Sequence, residues 1–436
     1  MPSHERQITG APHGHILTNC NVWSPDGRRI VYDVRPDPAG EFFDGDRIET
    51  VHVETGEVKV LYESTGGAKC GVATYSPVAN RVAFILGPEN PTPDFTYGPA
   101  RRRGVIVEED RPGGAIPLDA RDLVPPFTPG ALRGGSHVHV FSADAARVSF
   151  TYEDHVLSSI GRDAPGREVN LRNVGVSVLG RPVTVPKTHP RNQDGEAFSV
   201  LVSQTRADPS PGSDEIKRAF EEAWVGTTGY RKADGTRQRW ALAFQGHVVT
   251  AAGQTISEVF IADLPDDLTV PGDGPLQGTA TTRPRPPKGT VQRRITFTAH
   301  RKYAGLQGPR HWLRSSPDGS RIAFLMRDDN GVVQLWTVAP GGGAPVQVTR
   351  NAFGIASSFT WSPDGTLVAH LMGNSVCVTD MVTGVTTRVT PRTGDATAPR
   401  PEACVFSPDG RRIAFVRPVP TGDRVYNQVI VCEVPR

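Results

Sequence analysis

The chain has 436 residues, with 48 Lys and Arg against 46 Asp and Glu, a formal net charge of +2, and the two signs interspersed throughout. Near-neutrality without a basic block excludes a chain-wide affinity for nucleic acid or an anionic membrane, so any electrostatic function must be local. No run approaches the roughly 20 apolar residues of a membrane helix, whereas 46 Gly and 39 Pro beside 37% hydrophobic residues describe many short strands joined by many turns.

The opening stretch, MPSHERQITGAPHGH, lacks the charged and apolar regions of a secretory leader, and a cytoplasmic location is expected. Residues 6–9 read as a lone strand. From there a hairpin pattern recurs six times, in VWSPDGRRIVYDV, TYSPVANRVAFIL, VFSADAARVSFTY, RSSPDGSRIAFLM, TWSPDGTLVAHLM and VFSPDGRRIAFVR. In its Ser-Pro-Asp-Gly turn, Pro presets φ, Asp bonds nearby backbone and Gly accepts positive φ, so the chain reverses there. A third and often a fourth strand follow each hairpin, which is the layout of a propeller blade.

This spacing predicts blades at 20–62, 70–118, 136–173, 310–350, 357–390 and 402–434, with one further blade at 196–298 that carries insertions. Within it, SDEIKRAFEEAWVG is predicted as a short helix over 213–225. Ser213 would cap it, Asp214 and Glu215 would favour its positive end, Gly226 would end it, and Ile216, Phe220 and Trp224 would share a core-facing side. The last blade supplies only three strands, so the N-terminal strand is predicted to complete it and close the ring. The expected fold is therefore all-β, a seven-bladed propeller in one domain, with six or eight blades as the alternatives. Five cysteines without any CxxC pair are read as buried free thiols.

The SPDG-plus-IAF repeat resembles the TolB-type propeller repeat over most of the chain. More specifically, GGSHVHVFSADAARVSFTYEDHV, the HPRN segment, PGSDEIKRAFEEAWVG, and PRHW followed by MRDDNGVVQLW resemble the YidR-type bacterial propellers. A looser likeness is to oligogalacturonate lyases, a family that holds manganese with histidines at the central mouth. Their ligand motif is not matched residue by residue.

Loops entering the first strand of each blade share a face with those joining the second and third strands, and function is expected at that mouth. The SPDG aspartates lie on the opposite face and are read as turn formers. His137 and His139, two residues apart on a strand, are predicted to face the channel together and chelate a divalent ion (manganese, zinc or iron) with His311 and His15. The alternative is that these imidazoles bond carbonyls in a polar channel. His189, His155 and Glu153 are the proton-transfer candidates. Arg35, Arg191, Arg310 and Arg327 are the candidates for holding an anion, guanidinium forks being matched to carboxylates and phosphates, though each could instead pair with a neighbouring acid.

The chain has no Gly-x-Ser-x-Gly elbow, Walker loop or post-strand GxGxxG, which disfavours serine hydrolase, nucleotide hydrolase and dinucleotide chemistry. Two functions remain. One is a metal-assisted enzyme acting by β-elimination on a small acidic carbohydrate such as a uronate-containing oligosaccharide. The other is a non-catalytic propeller presenting the same mouth to a protein, peptide or oligosaccharide.

Overall fold

The computed structural model describes residues 5–37, 40, 42–159 and 168–435. Its described residues form seven four-stranded antiparallel sheets and one two-stranded ribbon, Tyr230–Arg231 with Arg237–Gln238. The sheets follow one another around a ring. Each of the seven interfaces between neighbouring blades is filled by its own apolar cluster. Val31, Leu61, Val82 and Phe84 join blades one and two, for example, and Ile8, Leu17, Val34, Val405 and Val431 join blades seven and one.

Ring closure is as expected. Glu5–Gln7 pairs antiparallel with the last strand, Arg424–Glu433, in the register Glu5 to Cys432, and becomes the fourth strand of blade seven. The turns also follow their chemistry. In blade one the Ser24 hydroxyl donates to Asp26 at 2.6 Å, Asp26 accepts the Arg28 amide, and Gly27 takes φ 67°. Blades five, six and seven repeat the serine–aspartate bond at Ser316, Ser362 and Ser407. All five cysteines are buried, and none is in a disulfide.

Residues 213–225 are not a helix. Ile216–Trp224 is the innermost strand of blade four, paired with Trp240–Val249. The spacing of four between Ile216, Phe220 and Trp224 is even, so it satisfies a strand's two-residue alternation as well as a helical stripe, and tertiary pairing overrides the helical propensity of KRAFEEA. Blade boundaries shift with it. Asn173–Val183 and Gly195–Leu201 are the third and fourth strands of blade three, so that blade runs past 173 and the stretch expected to open blade four ends blade three instead. The one α-helical turn among the described residues is His155–Ser158, capped by Asp154, whose carboxylate accepts the Leu157 amide.

Candidate functional site at the channel mouth

Four successive blades each carry a non-glycine residue at positive φ on their inner edge: Asn21 at 52°, five residues beyond the inner strand Gly14–Ile16 of blade one, and, within the inner strands of blades two to four, Val72 at 61°, Val138 at 57° and Glu221 at 57°. The last three coincide with register shifts, at Gly71/Thr74, His137/Val140 and Phe220/Ala223, and are β-bulges. A β-branched residue there costs on the order of 1–3 kcal/mol, and such strain clusters where a side chain must be re-aimed. Here the bulges turn Val72, Val138 and Glu221 toward one cavity of about 840 Å³ at the mouth.

Six arginines line that cavity: Arg35, Arg102, Arg172, Arg218, Arg310 and Arg400. Four hold carboxylates. Arg35 pairs with buried Asp33 at 2.6 Å, Arg310 with Glu221 at 2.9 Å, Arg400 with Glu402 at 3.2 Å, and Arg172 with Glu153 at 2.5 Å. Arg102 and Arg218 have no ion-pair partner among the described residues. Arg102 reaches only the Tyr97 hydroxyl, at 3.4 Å, and Arg218 lies over the Phe220 ring. Burial lowers the pKa of both. Buried and unpartnered atoms of Thr18, Glu221 (Oε2) and Trp312 (Nε1) add further donors and an acceptor to the lining residues.

His137 lines the same cavity, with Nδ1 3.2 Å from the Thr151 carbonyl. In that contact Nδ1 carries the proton and donates, which leaves Nε2 as a free acceptor. Burial, then the charges of Arg102, Arg172 and Arg310, drive its pKa well below the ordinary value and keep the ring neutral at physiological pH.

The other predicted metal ligands are not brought to it. The bulge at Val138 breaks the alternation on which the His137–His139 pair rested. His139 instead points into the seam between blades two and three, its Nε2 3.0 Å from the Ser136 hydroxyl, and burial holds its pKa at about 3. His311 spends both ring nitrogens on backbone: Nδ1 donates to the Pro309 carbonyl at 2.9 Å and Nε2 accepts the Leu325 amide at 3.1 Å. His15 bonds the Asn427 carbonyl and stacks on His13 between blades seven and one. Among the described residues, no three His, Cys, Asp or Glu side chains are grouped to hold a metal ion. The residues present do not fit the predicted divalent site.

The anion and proton-transfer candidates divide. Arg35 and Arg310 line the mouth, and Glu153 reaches it through Arg172. His155, His189 and Arg191 line a separate groove beside blades two and three. Arg327 is exposed and lies over the Tyr303 ring, away from the cavity. Arg102, Arg172, Arg218 and Glu221 were not anticipated. Arg102 sits in an RRR run with no mark to separate its members, Arg172 fell at the edge of a misplaced blade, and the other two were placed on a helix. The blade expected at 136–173 stopped at the start of its third strand; extending it to Leu201 leaves Ile216–Trp224 to open blade four and brings Arg218 and Glu221 to the mouth.

The cavity ends on an apolar septum. Cys20, Val138, Val140 and Trp312, with Val72 and Trp224 packed against them, meet from five blades. Beyond it a second cavity of about 360 Å³ opens at the other end of the channel, lined by Trp23, Trp224, Trp361 and the turn prolines Pro25, Pro317, Pro363 and Pro408.

With this geometry in view, a search of known proteins finds a chain 47% identical over 416 residues, covering 94% of both sequences: the "Uncharacterized protein YidR" of Escherichia coli strain K12. The chain belongs to the YidR family. Residues 69–193 match the family described as "Protein of unknown function (DUF3748)", a segment that includes His137 and Arg102 from the mouth. Among solved structures, an oligogalacturonate lyase in complex with manganese aligns with a TM-score of 0.56 at 11% identity, covering 100% of this chain and 97% of the lyase. The oligogalacturonate lyase of Vibrio parahaemolyticus aligns with a TM-score of 0.55 at 10% identity, covering 100% and 94%. At those identities the likeness to this YidR-family chain is one of fold. No helix among the described residues is long and apolar enough to cross a membrane.

Proposed function

We propose that the mouth cavity binds a small acidic carbohydrate, a uronate-containing oligosaccharide, with its arginines on the carboxylates. The observation that carries this reading is the pair Arg102 and Arg218, two guanidiniums on the cavity wall without an ion-pair partner among the described residues. A carboxylate placed between them would supply the counter-charge, and Glu221 Oε2, Trp312 Nε1 and Thr18 would meet hydroxyls. A cavity of about 840 Å³ accepts a ligand of a few sugar rings. The fold shared with oligogalacturonate lyases agrees with this ligand class.

One feature favours turnover as a second reading. His137 offers a neutral Nε2 to the cavity, beside arginines that would hold a uronate carboxylate. In β-elimination the C5–H proton passes to Nε2, its electron pair forms the C4=C5 double bond, and the C4–O bond breaks. The leaving oxygen takes a proton from water or from Tyr97, whose hydroxyl burial keeps protonated. The arginines act on both sides of the step, since they acidify the carbon acid and also weaken the imidazole as a base.

Calorimetric titration with digalacturonate and trigalacturonate, beside their neutral methyl esters, tests binding. Saturable binding of the acids alone is expected, and equal heats from acid and ester overturn the reading. Ultraviolet absorbance of the unsaturated product tests turnover. It should rise with the parent and stay flat with His137→Asn, and no rise with a bound parent leaves the protein a binding propeller.

A further inference from the structure

The groove that takes His155, His189 and Arg191 away from the mouth has a composition of its own. Its floor is Phe95, and three groups crowd that one ring: Arg191 at 4.9 Å, Arg101 at 5.3 Å and the His155 ring at 5.1 Å, edge-on. Like charges gathered on one phenyl ring repel unless something negative lies among them. Arg191 is held by the carbonyls of Glu89 and Asn90, at 2.6 and 2.8 Å, which fix its direction without neutralising it. Arg101 has neither a side-chain hydrogen bond nor an ion pair among the described residues. Of the two carboxylates at the rim, Glu89 faces Arg103 at 3.4 Å and Asp94 is exposed.

His189 is set to donate. His189 Nδ1 accepts the Arg191 amide at 3.1 Å, so in the neutral ring the proton sits on Nε2, which is left free. The ring nitrogens of His155 reach only the Ser159 hydroxyl among the described residues, at 3.4 to 3.5 Å. Burial, and after it the charges of Arg101, Arg121 and His189, carry the pKa of His155 down to about 4, which agrees with a surplus of positive potential in the groove.

This groove is distinct from the mouth, and the chain between them serves both. Along 95–102, Phe95 and Arg101 face the groove while Tyr97, Pro99 and Arg102 face the mouth. We propose that Arg101, Arg191, His155 and His189 form a second anion-binding site, taking a single phosphate or carboxylate group over the Phe95 ring. The guanidiniums supply charge and His189 Nε2 supplies a directed hydrogen bond. The site stands whether or not the mouth binds a uronate.

Nuclear magnetic resonance titration of the full chain, following the histidine ring signals, tests it with inorganic phosphate and separately with monomeric galacturonate. Saturable shifts of the His155 and His189 signals with either anion are expected, and which anion shifts them identifies the group. Arg101→Gln, which removes a side chain without a hydrogen bond among the described residues, should weaken that binding at least tenfold, and His189→Gln at least threefold. The mouth variant Arg102→Gln/Arg218→Gln should leave it unchanged. Shifts with neither anion overturn the proposal, as does binding that survives Arg101→Gln and His189→Gln or that disappears only in the mouth variant.

Discussion

The two ends of the channel are built by opposite rules. At the lower end, blades one, five, six and seven use the same turn: serine bonds aspartate, glycine takes positive φ, and a proline from each turn lines a small cavity walled by tryptophans. At the upper end blades two, three and four share an inner-strand bulge but surround it with different side chains. Blade two sends a long loop with Tyr97 and Arg102, blade three a bulge at Val138, and blade four a bulge at Glu221 flanked by Arg218. The repetition holds in blades one, five, six and seven, on both sides of the ring closure. Chemistry gathers where the repeat is broken and strain is tolerated.

The largest test of that contrast is to strip charge from the upper end. Arg102→Gln with Arg218→Gln should reduce affinity for acidic oligosaccharide more than 100-fold, since each charged hydrogen bond contributes about 1.5–3 kcal/mol. Thermal stability should hold or rise, because neither arginine has a carboxylate to leave behind. Trp361→Phe at the lower end should leave affinity within twofold. Comparable losses at both ends, read by calorimetry, would erase the distinction between them.

Next in size is the septum that separates the ends. Trp312→Ala removes the side chain that closes the axis against Cys20, Val138 and Val140. Its loss should cost about 3 kcal/mol, at the lower edge for a buried aromatic because one side already faces the cavity. Denaturant unfolding measures this. A cost below about 1 kcal/mol would mean that the septum does not stabilise the ring.

The same contrast decides what could be read in the sequence. Blade number and the role of the SPDG aspartates were legible because each rests on a local rule repeated many times, and closure by the N-terminal strand, expected at 6–9 and found at Glu5–Gln7, followed from the strand that the last blade lacked. The upper end rests on exceptions. Nothing in the letters HVH announces that Val138 takes φ 57°, as a glycine there would have, and that one dihedral sends His139 into an interface and leaves His137 alone in the cavity. The arginines at 101, 102 and 103 serve the groove, the mouth and Glu89 in turn, a division set by the path of a loop. Taking 213–225 for a helix hid Arg218 and Glu221 because an apolar spacing of four fits either element.

The smallest expected effect concerns Glu222, one residue from the bulge. It is fully buried, accepts the Thr151 hydroxyl at 2.8 Å, and leaves Oε1 without a partner. Burial pushes its pKa from 4.5 up to about 7. Between those values the folded chain keeps a proton that the unfolded chain has released. The resulting stabilisation is complete below about pH 4.5 and is lost as pH rises to about 7, roughly 1.4 kcal/mol per pH unit at most. Glu222→Gln keeps an acceptor for Thr151 and carries no charge at any pH. Its melting temperature relative to the parent should therefore climb between pH 5 and pH 7.5 by the equivalent of about 2 kcal/mol and level off above. A difference that stays flat across that range would show Glu222 ionising in the fold as it does in water, which requires water or a cation to reach it through the septum.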